Sequence, residues 1–505
     1  MKRWLFLLWL AVLAGLLGLY ARHLQADFPN YSPWTDWAKF TDEGWYGDAA
    51  IRHALFGRWD VPGEFNPGAA LPVLPFCEAA VFHFTGVSLE AVRALAVTFF
   101  ILGLIATFFL VRKFQSAWAA CLVISLLALS GFNYAFLRMG ILEPPLILFT
   151  LLLLVAASRG RWRRWGWLTA CGVLVPLIVL TKTTGVCSLP AAVYLMWRAN
   201  HRLRGPFGRC CVVIAGIAAL LGSGYYFGLV APHYKEDFWY LFSANARPAL
   251  TLHSRWDAVW GTVVDGKWAD PWMYPAVIGV VVLSLLTARK LWRNPLFGAC
   301  VIWIASYMVF IAWHCNLQPR YYLPILPAMI ILVSQALEYG VRSRQRILTT
   351  ALLIVLVMTT AHNAGQTFGW MRHPDYTYVD AARALAATVR QDPQPNRLLM
   401  SISGSNITLM TGLWSVCDDF GTDDLDVRIH RYNPGWYASW DDIDEGTLQS
   451  LDEFYTVRQV ASWPAMDDPD RRVLRLWRLV PLENVKWKPG RTEGDTEPDD
   501  ADENQ

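Results

Sequence analysis

Long apolar runs separated by short polar connections dominate the first 362 residues. Stretches apolar enough to cross about 30 Å of hydrocarbon lie near 4–20, 91–111, 117–132, 144–158, 166–181, 185–198, 210–230, 273–288, 296–313, 321–339 and 347–362. The pattern predicts about eleven transmembrane helices, because in lipid only a helix or a closed barrel satisfies its own backbone polar groups. Residues 69–86 are apolar as well, but they hold Pro72, Pro75, Glu78 and His83 and lack basic flanks. We read 45–58 and 70–85 as amphipathic helices lying on the membrane surface.

Basic residues give an independent check on this division. Arg112-Lys113, Arg159 to Arg164, Arg198 to Arg209, Arg289 to Arg293 and Arg342 to Arg346 fall in every second connection. The positive-inside rule makes these connections cytoplasmic, together with Lys2-Arg3 at the N-terminus, which reads as a retained signal anchor. The segments 21–90, 133–143, 182–184, 231–272 and 314–320 are then external, as is everything after 362. The expected location is a plasma (inner) membrane with the N-terminus cytoplasmic.

After 362 the pattern becomes that of a soluble α/β domain. Asp380–Arg390 and Asn406–Leu413 read as helices, and Arg397–Ser403, Tyr455–Ala461 and Val473–Leu479 as strands. The chain thus divides into a transmembrane domain over 1–362, an external α/β domain over 363–490, and an acidic, disordered tail over 491–505.

Composition sharpens the class. Only 17% of the 505 residues are charged while 54% are hydrophobic, against roughly 25% charged in soluble domains, which identifies a polytopic membrane protein. The basic residues sit in topogenic loops and form neither a basic face nor a nucleic-acid motif, so no nucleic-acid partner is expected. The 26 tryptophans fit interfacial belts, with sugar stacking as the alternative role for some. The nine cysteines show no zinc spacing and mostly sit in apolar runs.

The polar residues that could do chemistry lie in the external segments. Asp42-Glu43 follows the first helix, where adjacent acids at a low-dielectric boundary suit a general base; they read equally as helix-capping acids. In the second external loop Glu143 abuts an apolar span and needs a partner, for which Arg138 is the candidate. Lys182 sits on a short external turn against the positive-inside trend, with snorkelling from a helix end as the plain alternative. Arg320 and Tyr321 stand at the external mouth of a span. Acids and bases on one face can activate a nucleophile and hold an anionic leaving group such as phosphate.

Taken in order, Asp42-Glu43-Gly44-Trp45-Tyr46, Arg138 with Glu143-Pro144, Lys182-Thr183-Thr184-Gly185 and Arg320-Tyr321-Tyr322-Leu323-Pro324-Ile325-Leu326-Pro327 resemble the GT-C superfamily of integral-membrane glycosyltransferases. The likeness is to the protein O-mannosyltransferase and lipid A aminoarabinose transferase branch and covers roughly 1–340. It implies an inverting transfer of a sugar from a polyprenyl-phosphate donor to a lipid, glycan or protein acceptor at the external face, within the surrounding membrane lipids. It also implies Asp42 as the catalytic acid of the pair with Glu43 tuning it, and Glu143 as the second-loop acid. Lys182, Arg247 and Arg320 would bind the donor phosphate, with Arg138 paired to Glu143 or joining them and Tyr321 beside them. No cofactor is required on this reading; Glu64 with His233 is the candidate pair for a divalent metal. The chain departs from the lipid A transferases at Glu64-Phe65-Asn66-Pro67, where they carry a basic residue before the proline. A transporter or flippase of a lipid-linked sugar is the alternative function, although the sequence shows no inverted repeat.

Overall fold

The structure is a computed structural model, and it describes residues 3–159, 165–203, 206–243, 251–264, 270–314, 318–468, 471–483 and 485. Each of the expected spans falls on a helix. Among the described residues, six helical segments are long and apolar enough to cross a membrane, including Arg3–Tyr20, Leu89–Phe114, Pro295–Trp313 and the stretch Pro319–Arg342. Shorter apolar helices, Ala117–Leu129, Glu143–Ala157, Trp165–Thr181 and Met273–Leu286, pack among them. The last apolar helix runs from Arg346 on to Arg372, ten residues past the point where the sequence pattern changes.

Local signals set the helix ends. Ser88 caps Leu89–Phe114 by accepting from Ala91 N at 3.2 Å. Pro295 opens Pro295–Trp313 with Asn294 accepting from Leu296 N at 3.0 Å. The two helices expected at 45–58 and 70–85 appear as Asp42–Phe56 and Val73–Thr85, with a short turn of helix at Pro67–Ala70 before the second.

The C-terminal unit is a five-stranded mixed sheet. Its strands are β1 (Leu399–Met400), β2 (Ser415–Val416), β3 (Trp436–Trp440), β4 (Tyr455–Asp468) and β5 (Arg471–Pro481). Their spatial order is β2-β1-β3-β5-β4. β1 pairs in parallel with β2 and β3, while β5 runs antiparallel between β3 and β4. The run 397–403 was expected as a full strand, but only Leu399 and Met400 pair before the chain turns into the helix Gly404–Thr411. Two strands, β2 and β3, were not anticipated. β3 is buried along its whole length, so it lacks the polar alternation that betrays a half-exposed strand.

Each face of the sheet carries its own core, and both cores include a residue from the segment 21–90. Phe40 packs with Leu385, Ile407, Trp436 and Leu474 on one face. Val61 packs with Met400, Ile429 and Leu479 on the other. Further ties are polar. Asp27 accepts from Thr377 Oγ1 at 2.7 Å, Tyr378 Oη donates to Phe40 O at 3.0 Å, and buried Lys39 pairs with Asp468 at 3.5 Å. The segment 21–90 is thereby clamped between the helical body and the sheet, which is what positions the site below.

Candidate active site

A cavity of about 410 Å³ lies where the segment 21–90 meets the helical body. Asp42, Lys182, Arg320 and Tyr321 face it, among aromatic neighbours that include Trp37 and Trp45. Its size lies toward the small end of the usual range for ligand pockets.

Asp42 sits in the first turn of Asp42–Phe56, where the helix dipole favours an acid. Thr41 Oγ1 donates to its Oδ1 at 3.0 Å, and Arg320 Nη2 stands 2.8 Å from its Oδ2. Arg320 is held from its other side by Asp36, which pairs with Nη1 and also accepts from Arg320 N at 3.1 Å. Asp36 owes its own place to a cap: its side chain accepts from Ala38 N at 2.8 Å at the start of a short 3₁₀ turn. Arg320 likewise lies in a 3₁₀ segment, Pro319–Ile325, which Pro319 and Pro324 bound. Burial raises Asp42 above the ordinary carboxylate range, with Arg320 pulling the other way and Asp36 and Glu143 adding to the rise.

The second pair is Glu143 with Lys182. Glu143 is completely buried at the head of its helix, followed by Pro144 and Pro145, and its Oε1 takes the Lys182 ammonium. Lys182 projects from the extended residue between Trp165–Thr181 and the 3₁₀ turn Thr183–Ser188. Burial lowers its pKa, Glu143 opposes that shift, and Arg320 reinforces it. The Tyr321 ring lies between the cations, 4.3 Å from Lys182 Nζ and 5.3 Å from Arg320 Cζ, in cation–π contact with both.

Other expected residues stand elsewhere. Glu143 was expected to pair with Arg138, but Lys182 takes that place. Arg138 is instead buried under the segment that follows the first helix, donating to the carbonyls of His23 at 3.0 Å and Asp27 at 2.8 Å. Glu43 points away from the cavity wall and makes a two-pronged pair with Arg93, with Gly140 N donating to it at 2.9 Å. One helical step of about 100° separates neighbours, so only one acid of the pair can face the cavity. Glu64 is buried, accepts from Cys417 N at 2.6 Å and lies 3.5 Å from Arg52. His233 is exposed at the end of a short helix, and no described hydrogen bond joins it to Glu64. No group of three His, Cys, Asp or Glu suited to a metal ion occurs among the described residues. Arg247 and the tail 491–505 lie outside the described residues.

Three features of the site were missed in the sequence. Asp36 was legible as a third acid only six residues before Asp42, yet its partner is 284 residues away. His314 faces the cavity and packs against Tyr321 at 5.5 Å; burial lowers its pKa, helped by Lys182. Phe420, from the C-terminal unit, also lines the cavity, and nothing local in its sequence announces that.

With this geometry established, the chain can be set beside known proteins. Residues 66–223 match the family model of dolichyl-phosphate-mannose-protein mannosyltransferase. The structure of ArnT from Cupriavidus metallidurans bound to undecaprenyl phosphate is similar with a TM-score of 0.60 at 14% identity, over 94% of this chain and 98% of that one. The chain has the GT-C fold. The GT-C archaeal oligosaccharyltransferase AglB from Archaeoglobus fulgidus, in complex with an inhibitory peptide and a dolichol-phosphate, is similar with a TM-score of 0.54 at 12% identity, over 94% of this chain and 74% of that one. No curated protein matches by sequence. The long apolar helices of the chain, arranged in this fold, mark an integral membrane protein. Within it the matched segment supplies Lys182 to the cavity, while Asp42 and Arg320 reach the same cavity from outside that segment.

Proposed function

We propose that the chain is an inverting glycosyltransferase that moves a sugar from a polyprenyl-phosphate donor to an acceptor hydroxyl at the external face of the membrane. The GT-C fold and the mannosyltransferase match support glycosyl transfer in general. The observation that carries the finer reading is the convergence of Asp42, Lys182 and Arg320 on one cavity, with Tyr321 between the two cations.

In this reading the acceptor oxygen attacks the anomeric carbon while its proton passes to Asp42. The bond from that carbon to the phosphate oxygen breaks, and polyprenyl phosphate leaves carrying the electron pair. Lys182 and Arg320 neutralise the departing phosphate, the interaction that strengthens most as charge develops. The Arg320–Asp42 pair couples these two events. Once Asp42 is protonated, Arg320 loses one of its two counter-charges and attracts the phosphate more strongly. Asp36 holds the guanidinium in place from its other side.

The alternation of basic loops supports an N-terminus in the cytoplasm, with the cavity and the C-terminal unit outside an inner membrane. Purified protein supplied with labelled polyprenyl-phosphate sugars and a panel of hydroxyl acceptors tests the proposal. Polyprenyl phosphate should be released only when an acceptor is present, and Asp42→Asn should lower the rate about a hundredfold or more. Movement of intact donor without release would make the chain a flippase instead.

A further inference from the structure

The cavity wall is not built by the helical body alone. Phe420 comes from the loop after β2, and its ring meets Trp45 at 5.1 Å. Both rings are half-buried and line the cavity. The loop is fixed firmly from two directions. From the segment 21–90, Phe65 N donates to Phe420 O at 3.3 Å, Glu64 bridges to Gly421, and Gly63 O accepts from Asp423 N at 3.1 Å. From within the unit, buried Arg428 donates to the carbonyls of Cys417, Asp418 and Asp419. A ring that merely filled space would not need its backbone tied at both sides and its face left open to a cavity.

Trp45 and Asp42 lie three residues apart on one helix, a spacing that puts them on the same face. A sugar whose anomeric carbon is presented near Asp42 therefore has the Trp45–Phe420 wall within one ring's reach. The C–H faces of a pyranose or furanose are apolar and suit such a surface, while its hydroxyls suit the polar side of the cavity. A second tie runs the same way: Arg471 of β5 lies 4.1 Å over the Trp37 ring, which also lines the cavity.

We propose that Phe420 is a specificity-determining residue that stacks, with Trp45, on the sugar ring of the donor. The C-terminal unit thereby takes part in choosing which sugar is transferred. This rests on the transferase reading above, because the sugar is placed by its bond to the phosphate held at Lys182 and Arg320.

The test uses the full chain in lipid nanodiscs and two probes, undecaprenyl phosphate and undecaprenyl phosphate carrying single pentoses or hexoses. Wild type should bind one glycosylated carrier more tightly than the bare carrier. Phe420→Ala and the volume-filling Phe420→Leu should each cut that advantage by about tenfold, the upper range for one aromatic stacking contact. Affinity for the bare carrier should stay within about twofold, and Phe420→Tyr should keep the advantage. Retention of the wild-type preference by Phe420→Leu, or absence of any preference in wild type, would overturn the stacking role alone. Failure of wild type to bind the bare carrier would overturn the transferase reading and this inference with it.

Discussion

Arg320 is shared by two carboxylates, with Asp36 on Nη1 and Asp42 2.8 Å from Nη2. Asp36→Asn leaves the guanidinium to Asp42 alone and removes a negative charge that raises the pKa of Asp42. Both changes favour ionised Asp42, so the acid limb of kcat/KM should move to lower pH. The loss of one buried partner should destabilise the protein by about 3 kcal/mol. A pH–rate profile recorded beside thermal unfolding checks both; an unmoved limb would mean that Asp42 and Arg320 do not titrate as a unit.

The wild-type profile has its own predicted shape. In the proposed reaction Asp42 acts as its carboxylate, and burial raises its pKa. Activity should therefore fall on acidification at a midpoint above the ordinary aspartate value of about 3.9. On the alkaline side Lys182 must keep its charge, and burial lowers its pKa from 10.5, so the upper limb should begin below that value. Steady-state rates across the pH range, with Asp42→Asn as the control lacking the acid limb, test the assignment.

Lys182 and Glu143 should separate folding from function. Lys182→Met leaves Glu143 buried without its counter-charge and should cost about 3–5 kcal/mol. Adding Glu143→Gln removes that stranded charge and should restore most of the stability. The double variant should nonetheless bind undecaprenyl phosphate more weakly than wild type, since a cation that faces the cavity is gone. Recovery of wild-type binding in the double variant would show that the lysine serves only the fold.

Gly44 has a steric rather than a conformational duty. It sits where the Asp42–Phe56 helix touches the C-terminal unit, and its N–H donates to Asn406 Oδ1. A Cβ there would collide with the backbone of Ser405 and Asn406. Gly44→Ala should therefore destabilise the protein by about 1–3 kcal/mol despite alanine's better helix propensity. It should also lower activity by displacing the neighbouring Asp42. Unfolding and turnover measured on the same preparation test this; a stabilised, fully active Gly44→Ala protein would deny the close approach.

These residues show what a sequence can and cannot reveal about such a site. The spans were legible because lipid imposes one long apolar period on each of them, and Asp42, Lys182 and Arg320 stood out as polar residues against that background. Which group pairs with which was not legible. Glu143 has Arg138 five residues away but reaches Lys182, because a helix end and a 3₁₀ turn meet in space. Asp36 and Phe420 were missed for the same reason, since their roles come from contacts across hundreds of residues. Buried β3 was missed because a strand covered on both faces carries no alternation.

The clasp between the segment 21–90 and the C-terminal unit should loosen as pH rises. Glu64 accepts from Cys417 N at 2.6 Å, and burial pushes its pKa up from 4.5 to about 7, with Arg52 opposing and Asp48 adding to the rise. Between those values the folded protein holds this proton more tightly than the unfolded chain does. The stabilising contribution is thus complete below about 4.5 and is lost as pH climbs through about 7. Glu64→Gln keeps an oxygen for Cys417 but cannot ionise, so its melting temperature should lack this component of the decline. Melting curves of both proteins from acid to neutral pH measure the difference directly; parallel curves would show that Glu64 does not titrate in this range.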